Sequence, residues 1–327
     1  MTEGPPSGNS PLTIVVTGPT CGGKTGLSSE LARRFGWPIL SLDSMKVYRR
    51  MDIGAAKPSS ALRSELHFEL IDIREPWESF SAADYLDEWK RASDAITGPR
   101  IVSGGTVFYL NALREGLFEG PGPDPEVRQR LEEEAESLGL PALHARLTAV
   151  DPVAAARIHD TDLRRTLRAL EVFEQTGEPL TVWQARRTPL LDPERTWLLG
   201  VFRPREELHR RIEARVERMM AAGWVGEVEA LLAAHDPPWS REAAQSIGYE
   251  RIRKALLEGR DPKEEIPHIQ TRTRGFARNQ LTWVRKMPVE WWRPDERELL
   301  LDKVDTAAKD DRTPPPDEER RARKSAV

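Results

Sequence analysis

Apolar and polar positions along the chain change texture twice. From Leu12 to about Gly116, short apolar runs alternate with stretches of helical period; for the next seventy or so residues only the helical period remains; then apolar runs return. The runs Leu12-Thr13-Ile14-Val15-Val16, Pro38-Ile39-Leu40-Ser41-Leu42, His67-Phe68-Glu69-Leu70-Ile71-Asp72 and Arg100-Ile101-Val102-Ser103 predict buried strands. Between them, Leu27, Leu31 and Phe35 mark one amphipathic helix, Tyr85, Leu86, Trp89 and Ala92 a second over Ser79 to Ala95, and a third spans Val107 to Leu113. Strands alternating with helices predict right-handed crossovers and a parallel sheet.

The middle stretch opens on the linker Gly120-Pro121-Gly122-Pro123 and predicts helices from Asp124-Pro125 to Gly139, Pro141 to Ala149, Asp151 to Ile158 and Asp162 to Thr176. Leu163, Leu167, Leu170 and Phe173 form the apolar face of the last, with Arg164, Arg165 and Arg168 largely off it. A strand at Thr196 to Phe202 resumes the sheet. Helices at Pro204 to Ala222 (Leu208, Ile212, Val216, Met219), Trp224 to Ala234, Glu250 to Glu258 and Pro262 to Arg285 follow, and Val289-Glu290-Trp291-Trp292 predicts a last strand. The expected organisation is a core of 12–118 plus 196–295, a helical insertion at 119–195, and disordered termini at 1–11 and 300–327.

Composition narrows this picture. With 327 residues and 39% apolar content the chain has room for one large core or two modest ones. No run reaches membrane-spanning length and the polar start does not resemble a signal peptide, so a cytoplasmic location is expected. The single cysteine, Cys21, leaves no internal disulfide and agrees with a reducing compartment. A net charge of −4 gives no global signature for nucleic acid, so a polyanion would have to be met by local patches. One such patch is the last long helix, where His268, Arg272, Arg274, Arg278, Arg285 and Lys286 alternate with Phe276, Gln280 and Trp283 and no acid occurs from Pro267 to Val289. The alternative is that Phe276, Leu281 and Trp283 are core and the arginines a solvated face.

Chemistry concentrates between the first strand and helix. Gly18-Pro19-Thr20-Cys21-Gly22-Gly23-Lys24-Thr25 fits the phosphate-cradling G-x-x-x-x-G-K-[ST] pattern, in which backbone N–H groups and a helix N-terminus surround an anion. Lys24 supplies a point charge there and Thr25 a hydroxyl for Mg²⁺; Cys21 fills a small-residue slot. The expected fold class is therefore α/β, a P-loop NTPase-like parallel sheet flanked by helices with an all-helical insertion. The second strand delivers Asp43-Ser44 at its carboxyl end, where open α/β sheets place ligand contacts. Asp43 suits a base or acceptor facing a second substrate, or a cap on its own turn; Thr106, after Gly104-Gly105, suits the same site or a helix N-cap.

The ordered set of the phosphate loop, Asp43-Ser44-Met45-Lys46-Val47-Tyr48-Arg49, Met51-Asp52-Ile53-Gly54-Ala55-Ala56-Lys57-Pro58, Gly104-Gly105-Thr106, Arg168-Ala169-Leu170-Glu171-Val172, Ile247-Gly248-Tyr249 and Gln280-Leu281-Thr282-Trp283 resembles the bacterial tRNA dimethylallyltransferases over about residues 12 to 292. The resemblance implies transfer of a dimethylallyl group from dimethylallyl diphosphate to the exocyclic amine of the adenosine following the anticodon. It implies that Gly18, Pro19, Thr20, Cys21, Gly22, Gly23, Lys24 and Thr25 hold the diphosphate with Mg²⁺ at Thr25, that Asp43 takes the amine proton with Thr106 as its partner, and that Lys24 assists the departing pyrophosphate. Ser44, Met45 and Lys46 would contact the base, and Arg128, Arg164, Arg165, Arg168, Gln245, Gly248, Arg274, Arg278 and Gln280 the anticodon stem-loop. It further implies a cytoplasmic monomer without membrane contact. The chain departs from the family pattern at Lys46, where glutamine is usual, at Phe68, where a second histidine is usual, and at Asn279, where a basic residue is usual. Rival readings are a free-nucleotide dimethylallyltransferase, a small-molecule P-loop kinase binding ATP at the same loop, and a non-catalytic tRNA-binding protein.

Overall fold

The computed structural model describes residues 10–118, 120–122, 124–234 and 239–309. They form two compact units, one of residues up to Arg114 with those from Leu191 onward, the other of Glu115–Leu190. Of the termini expected to be disordered, 1–11 and 300–327, residues 1–9 and 310–327 lie outside the described residues.

In the larger unit, β1 (Thr13–Thr17) leads through a glycine turn into α1 (Lys24–Phe35), then β2 (Ile39–Leu42), α2 (Ser60–Glu65), β3 (Phe68–Glu69), α3 (Ala82–Asp94), β4 (Arg100–Gly104) and α4 (Val107–Glu115). The alternation of strand and helix is as the apolar pattern predicts. β3 is shorter than its six-residue apolar run, because Leu70 and Asp72 take left-handed backbone conformations (φ 63° and 59°) that a strand cannot hold. Of the two serines that could cap this helix, Ser79 and Ser81, it is Ser81 that forms a reciprocal cap with Asp84 and starts α3.

The smaller unit is all helix: α5 (Pro125–Leu138), α6 (Leu140–Val150), α7 (Pro152–Ala155), α8 (Leu163–Thr176) and α9 (Leu180–Ala185), around Leu131, Leu143, Leu147, Leu167, Leu170 and Leu180. The expected apolar face of α8 is rotated. Leu163 is 39% exposed, whereas Thr166 and Glu171 are fully buried.

Back in the larger unit, β5 (Thr196–Val201) is followed by α10 (Arg205–Ala221), α11 (Trp224–Ala234), α12 (Arg241–Ala244), α13 (Tyr249–Leu257), a 3₁₀ turn at Pro262–Glu265, α14 (Ile266–Val284), β6 (Glu290–Trp292) and α15 (Arg297–Lys309). The six strands make one parallel sheet in the order β3-β2-β4-β1-β5-β6. Alternation along the central strands splits the core: Ile14, Val16, Ile101, Leu199 and Trp292 share one cluster, while Val15 belongs to the other face. On that other face the Tyr85 hydroxyl donates to Ser41 O at 3.1 Å and its ring stacks on Tyr109 with centroids 4.1 Å apart.

α15 corrects the expectation of disorder from residue 300. Leu300, Leu301 and Val304 are buried in the cluster of Ile14, Val16 and Trp292, so this helix completes one cover of the sheet; its short apolar stripe is masked in sequence by the charges between. Leu300→Ala is expected to lower stability by about 2 to 5 kcal/mol, read by urea denaturation, as for other buried leucine truncations; a disordered segment would show no change.

Candidate active site

The turn between β1 and α1 is built for an anion. Gly23, the N-cap of α1, is left-handed (φ 116°) and offers no side-chain acceptor to the first-turn N–H groups, which keeps them available to a ligand. Lys24 folds back so that Nζ donates to Gly18 O at 3.0 Å and Pro19 O at 2.8 Å. Cys21 adopts φ 61° and packs against Leu208, Ile212, Ala277 and Leu281, the small-residue slot expected of it.

α10 closes over this loop and was not foreseen as part of the site. Arg211 Nε donates to Cys21 O at 2.9 Å, Arg215 to Thr20 Oγ1 at 3.2 Å, and Arg203, just before the helix, to Gly22 O at 2.7 Å. The available signal was the arginine spacing 211, 215, 218 on one helical face, beside the apolar stripe. A cavity of about 570 Å³ lies between loop and helix, lined by Lys24, Lys46, Arg210, Arg211, Arg215 and Arg218 against only Asp43 and Glu207. Burial is the main cause that pushes the Lys24 ammonium from 10.5 down to about 7, with Lys46 and Arg215 adding to it and Asp43 opposing. Burial likewise lowers Lys46. A site that disfavours its own cations in this way is complementary to a polyanion.

A second cavity, about 390 Å³, shares Thr20, Lys24, Asp43, Ala55 and Arg215 with the first, and its far wall is apolar: Phe80, Tyr109, Val216, Met219, Trp224 and Phe276. Ser44, Met45, Thr106, Gln245 and Gln280 also line it. Lys24 and Asp43 therefore stand where a cationic space meets a largely apolar one.

Asp43 caps its own turn, one of the two uses expected of it, and lines both cavities. Oδ1 accepts from the backbone N–H of Met45 at 3.0 Å and of Lys46 at 3.4 Å, capping the turn, which orients the carboxylate. Thr106 does not touch Asp43 directly: its Oγ1 accepts from Ser44 N at 3.0 Å and donates to Ser44 Oγ at 3.4 Å. Gln280, expected at the RNA, is instead a buried strut. Its Oε1 accepts from Thr20 N at 2.7 Å and its Nε2 donates to Gly105 O at 2.8 Å, tying the phosphate loop to the turn after β4. A side chain at Gly105 would put Cβ 2.4 Å from that Nε2 and displace the amide from this bond. Lys46, expected in the base pocket, lines the anion-binding cavity and not the apolar one.

The loop at 52–57 is latched from α11. Glu227 accepts from Asp52 N at 2.9 Å, Ile53 N at 2.8 Å and the Tyr249 hydroxyl at 2.5 Å, while Lys57 Nζ donates to Tyr48 O, Asp52 and Asp72. Gly248 lines neither cavity; with φ 90° it lies against Trp224, whose ring a Cβ would strike at 2.0 Å. On α14, Arg278 is exposed and Arg274 pairs with Glu213 at 2.8 Å; Phe276 and Trp283 are each 43% exposed, so they are not the core residues of the bland alternative.

Within the smaller unit the four expected RNA contacts divide. Arg128 and Arg168 neutralise the fully buried Glu171 at 3.1 and 2.9 Å, and Arg168 also donates to Pro121 O, so both are committed to packing. Arg164 and Arg165 are exposed, the latter loosely paired with Asp162 at 3.4 Å.

The IPP transferase family model matches residues 46–287. The chain is 45% identical over 285 residues to a tRNA dimethylallyltransferase of Syntrophobacter fumaroxidans, covering 85% of this chain and 82% of that one, and 45% identical over 276 residues to that of Geobacter metallireducens, covering 84% and 89%. The chain belongs to the IPP transferase family. Among solved structures, the Bacillus halodurans tRNA isopentenylpyrophosphate transferase is similar with TM-score 0.65 and 31% identity, covering 91% of this chain and 97% of that one. A eukaryotic dimethylallyltransferase acting on tRNA is similar with TM-score 0.71 and 25% identity, over 87% and 74%. The family span includes α10, Glu227 and Gln280, the structural parts of the site that motif reading assigned elsewhere or missed.

Two outcomes follow from this geometry. Gln280→Leu leaves Thr20 N and Gly105 O without their partner and is expected to cost about 1 to 3 kcal/mol in urea denaturation. For Lys24, the folded value of about 7 lies below the unfolded 10.5, so between these the unfolded chain binds more protons. Stability of the ligand-free protein relative to Lys24→Met is therefore expected to rise as pH increases from about 7 to 10.5; a flat difference in denaturation midpoint would contradict it.

Proposed function

We propose that the chain is a tRNA dimethylallyltransferase that uses dimethylallyl diphosphate and an anticodon-loop adenosine. The observation that carries this reading is the meeting of the cationic and apolar cavities at Lys24 and Asp43. The diphosphate enters the cationic side, against the N–H groups of Gly22 to Thr25 and the guanidinium of Arg215. An unpaired adenine enters the apolar side between Tyr109, Trp224 and Phe276; unstacking it in a loop costs only a few kcal/mol.

In the reaction the bond between the allylic carbon and the bridging oxygen breaks as the bond from the exocyclic nitrogen forms. The growing negative charge on the departing pyrophosphate is met by Lys24 and Arg215, which are already oriented by loop carbonyls and Thr20. Asp43 receives the proton released by the nitrogen, its carboxylate being aimed by the turn it caps. The apolar walls exclude water, which would otherwise compete for the allylic carbon.

The Thr25 hydroxyl lines the cationic cavity and fits Mg²⁺, an ion that binds through few protein oxygens plus phosphate. When bound it would supply further charge stabilisation to the pyrophosphate. A tRNA substrate also suits a cytoplasmic enzyme; among the described residues no helix is long and apolar enough to cross a membrane.

The test is transfer of radiolabelled dimethylallyl from its diphosphate to an unmodified anticodon stem-loop, with AMP and ATP as competing acceptors. Label is expected in the RNA and is expected to fall by about 10²- to 10⁴-fold in Asp43→Ala. Label only in AMP or ATP would replace this reading with a free-nucleotide transferase, and turnover of ATP without any allylic transfer would replace it with a kinase.

A further inference from the structure

We propose that Lys46 is a second lysine contact for the diphosphate of the donor, reaching it from the loop after β2, and is not a reader of the base. The inference rests on the diphosphate reading above.

Three observations carry it. Lys46 lines the cationic cavity together with Lys24, Thr25 and Arg215, and it is absent from the walls of the apolar cavity, which Ser44, Met45, Tyr109 and Gln280 line. Its backbone is held at both ends, with N–H donating to Asp43 Oδ1 at 3.4 Å and carbonyl accepting from Asp72 N at 3.1 Å, so the stem starts from a set position. Its ammonium makes no hydrogen bond or ion pair among the described residues. The comparison with Lys57 is telling: that ammonium, with its side chain 1% exposed, is saturated by Tyr48 O, Asp52 and Asp72.

A half-buried ammonium without partners, among other cations, is disfavoured, and burial lowers its proton affinity, with Arg215 and Lys57 adding to the effect and Asp43 opposing it. A doubly bridged phosphate group in this cavity reverses that penalty, because Lys46 then gains charge-assisted hydrogen bonds from the side of β2 while Lys24 supplies them from the phosphate loop. The leaving group is thereby held between cations of different elements. Lys46 would be spent on the leaving group, and adenine recognition would fall to Ser44, Thr106 and the apolar wall.

Calorimetric binding of inorganic pyrophosphate to the full chain and to Lys46→Gln and Lys46→Met is the test, with donor and RNA kinetics and the ligand-free unfolding midpoint measured on the same samples. Both variants are expected to bind pyrophosphate about tenfold or more weakly, to show a raised KM for dimethylallyl diphosphate with the KM for the stem-loop unchanged, and to unfold without ligand at or above the wild-type midpoint. An unchanged pyrophosphate Kd with a raised KM for RNA would overturn the inference in favour of base recognition. A lowered ligand-free midpoint would overturn it in favour of a structural role. Loss of pyrophosphate affinity in a protein whose wild type transfers no dimethylallyl group would uphold the contact and overturn only the donor reading.

Discussion

The site depends on β4 lying between β1 and β2. In a parallel sheet the carboxyl ends of neighbouring strands are about 5 Å apart, so this insertion brings the turns after three strands, with Lys24, Asp43 and Thr106, to one edge. The close fit is visible at Gly104, whose position would place any Cβ 1.9 Å from Leu42 O. A bulkier residue would push β4 from β2 and separate the carboxylate from the phosphate loop.

Around this edge, charge is distributed with a purpose that hydrogen bonding makes legible. Loop carbonyls hold Lys24, Thr20 and Cys21 hold Arg215 and Arg211, and the excess of cations over Asp43 and Glu207 is left for a ligand. Asp43 is one of the two acids there, and its turn-capping bonds occupy one of its oxygens. Capping and base chemistry are thus compatible uses of a single carboxylate, since a carboxylate has acceptor capacity for both. Gln280 performs the equivalent service for the backbone, joining two glycine turns that belong to different strands.

The smaller unit shows how burial sorts residues of one type. A fully buried Glu171 must be neutralised, and Arg128 and Arg168 do this with short ion pairs, while Asp124 N donates to the same carboxylate at 3.0 Å. The arginines at 164 and 165, one turn earlier, face water. Helical spacing alone placed Arg164, Arg165 and Arg168 alike off the apolar face, because a buried acid on that helix is invisible to a hydrophobicity pattern.

Much of the fold was legible in the chain itself. Strand–helix alternation, the phosphate loop, the helical insertion and the strand at Val289-Glu290-Trp291-Trp292 follow from local periodicity and from glycine and proline punctuation, which act over a few residues and so can be read locally. Asp43 and Thr106 were found because they stand at strand ends. What only the tertiary structure decided were the partners across long separations: Gln280 as a strut 260 residues from Thr20, the α10 arginines over the loop, Lys46 on the cationic side of Asp43, and α15 as a cover for the sheet. The physical reason is that a side chain's role is set by which desolvated group it must satisfy, and that group lies on another element whose position is fixed only when the sheet order and the helix packing are.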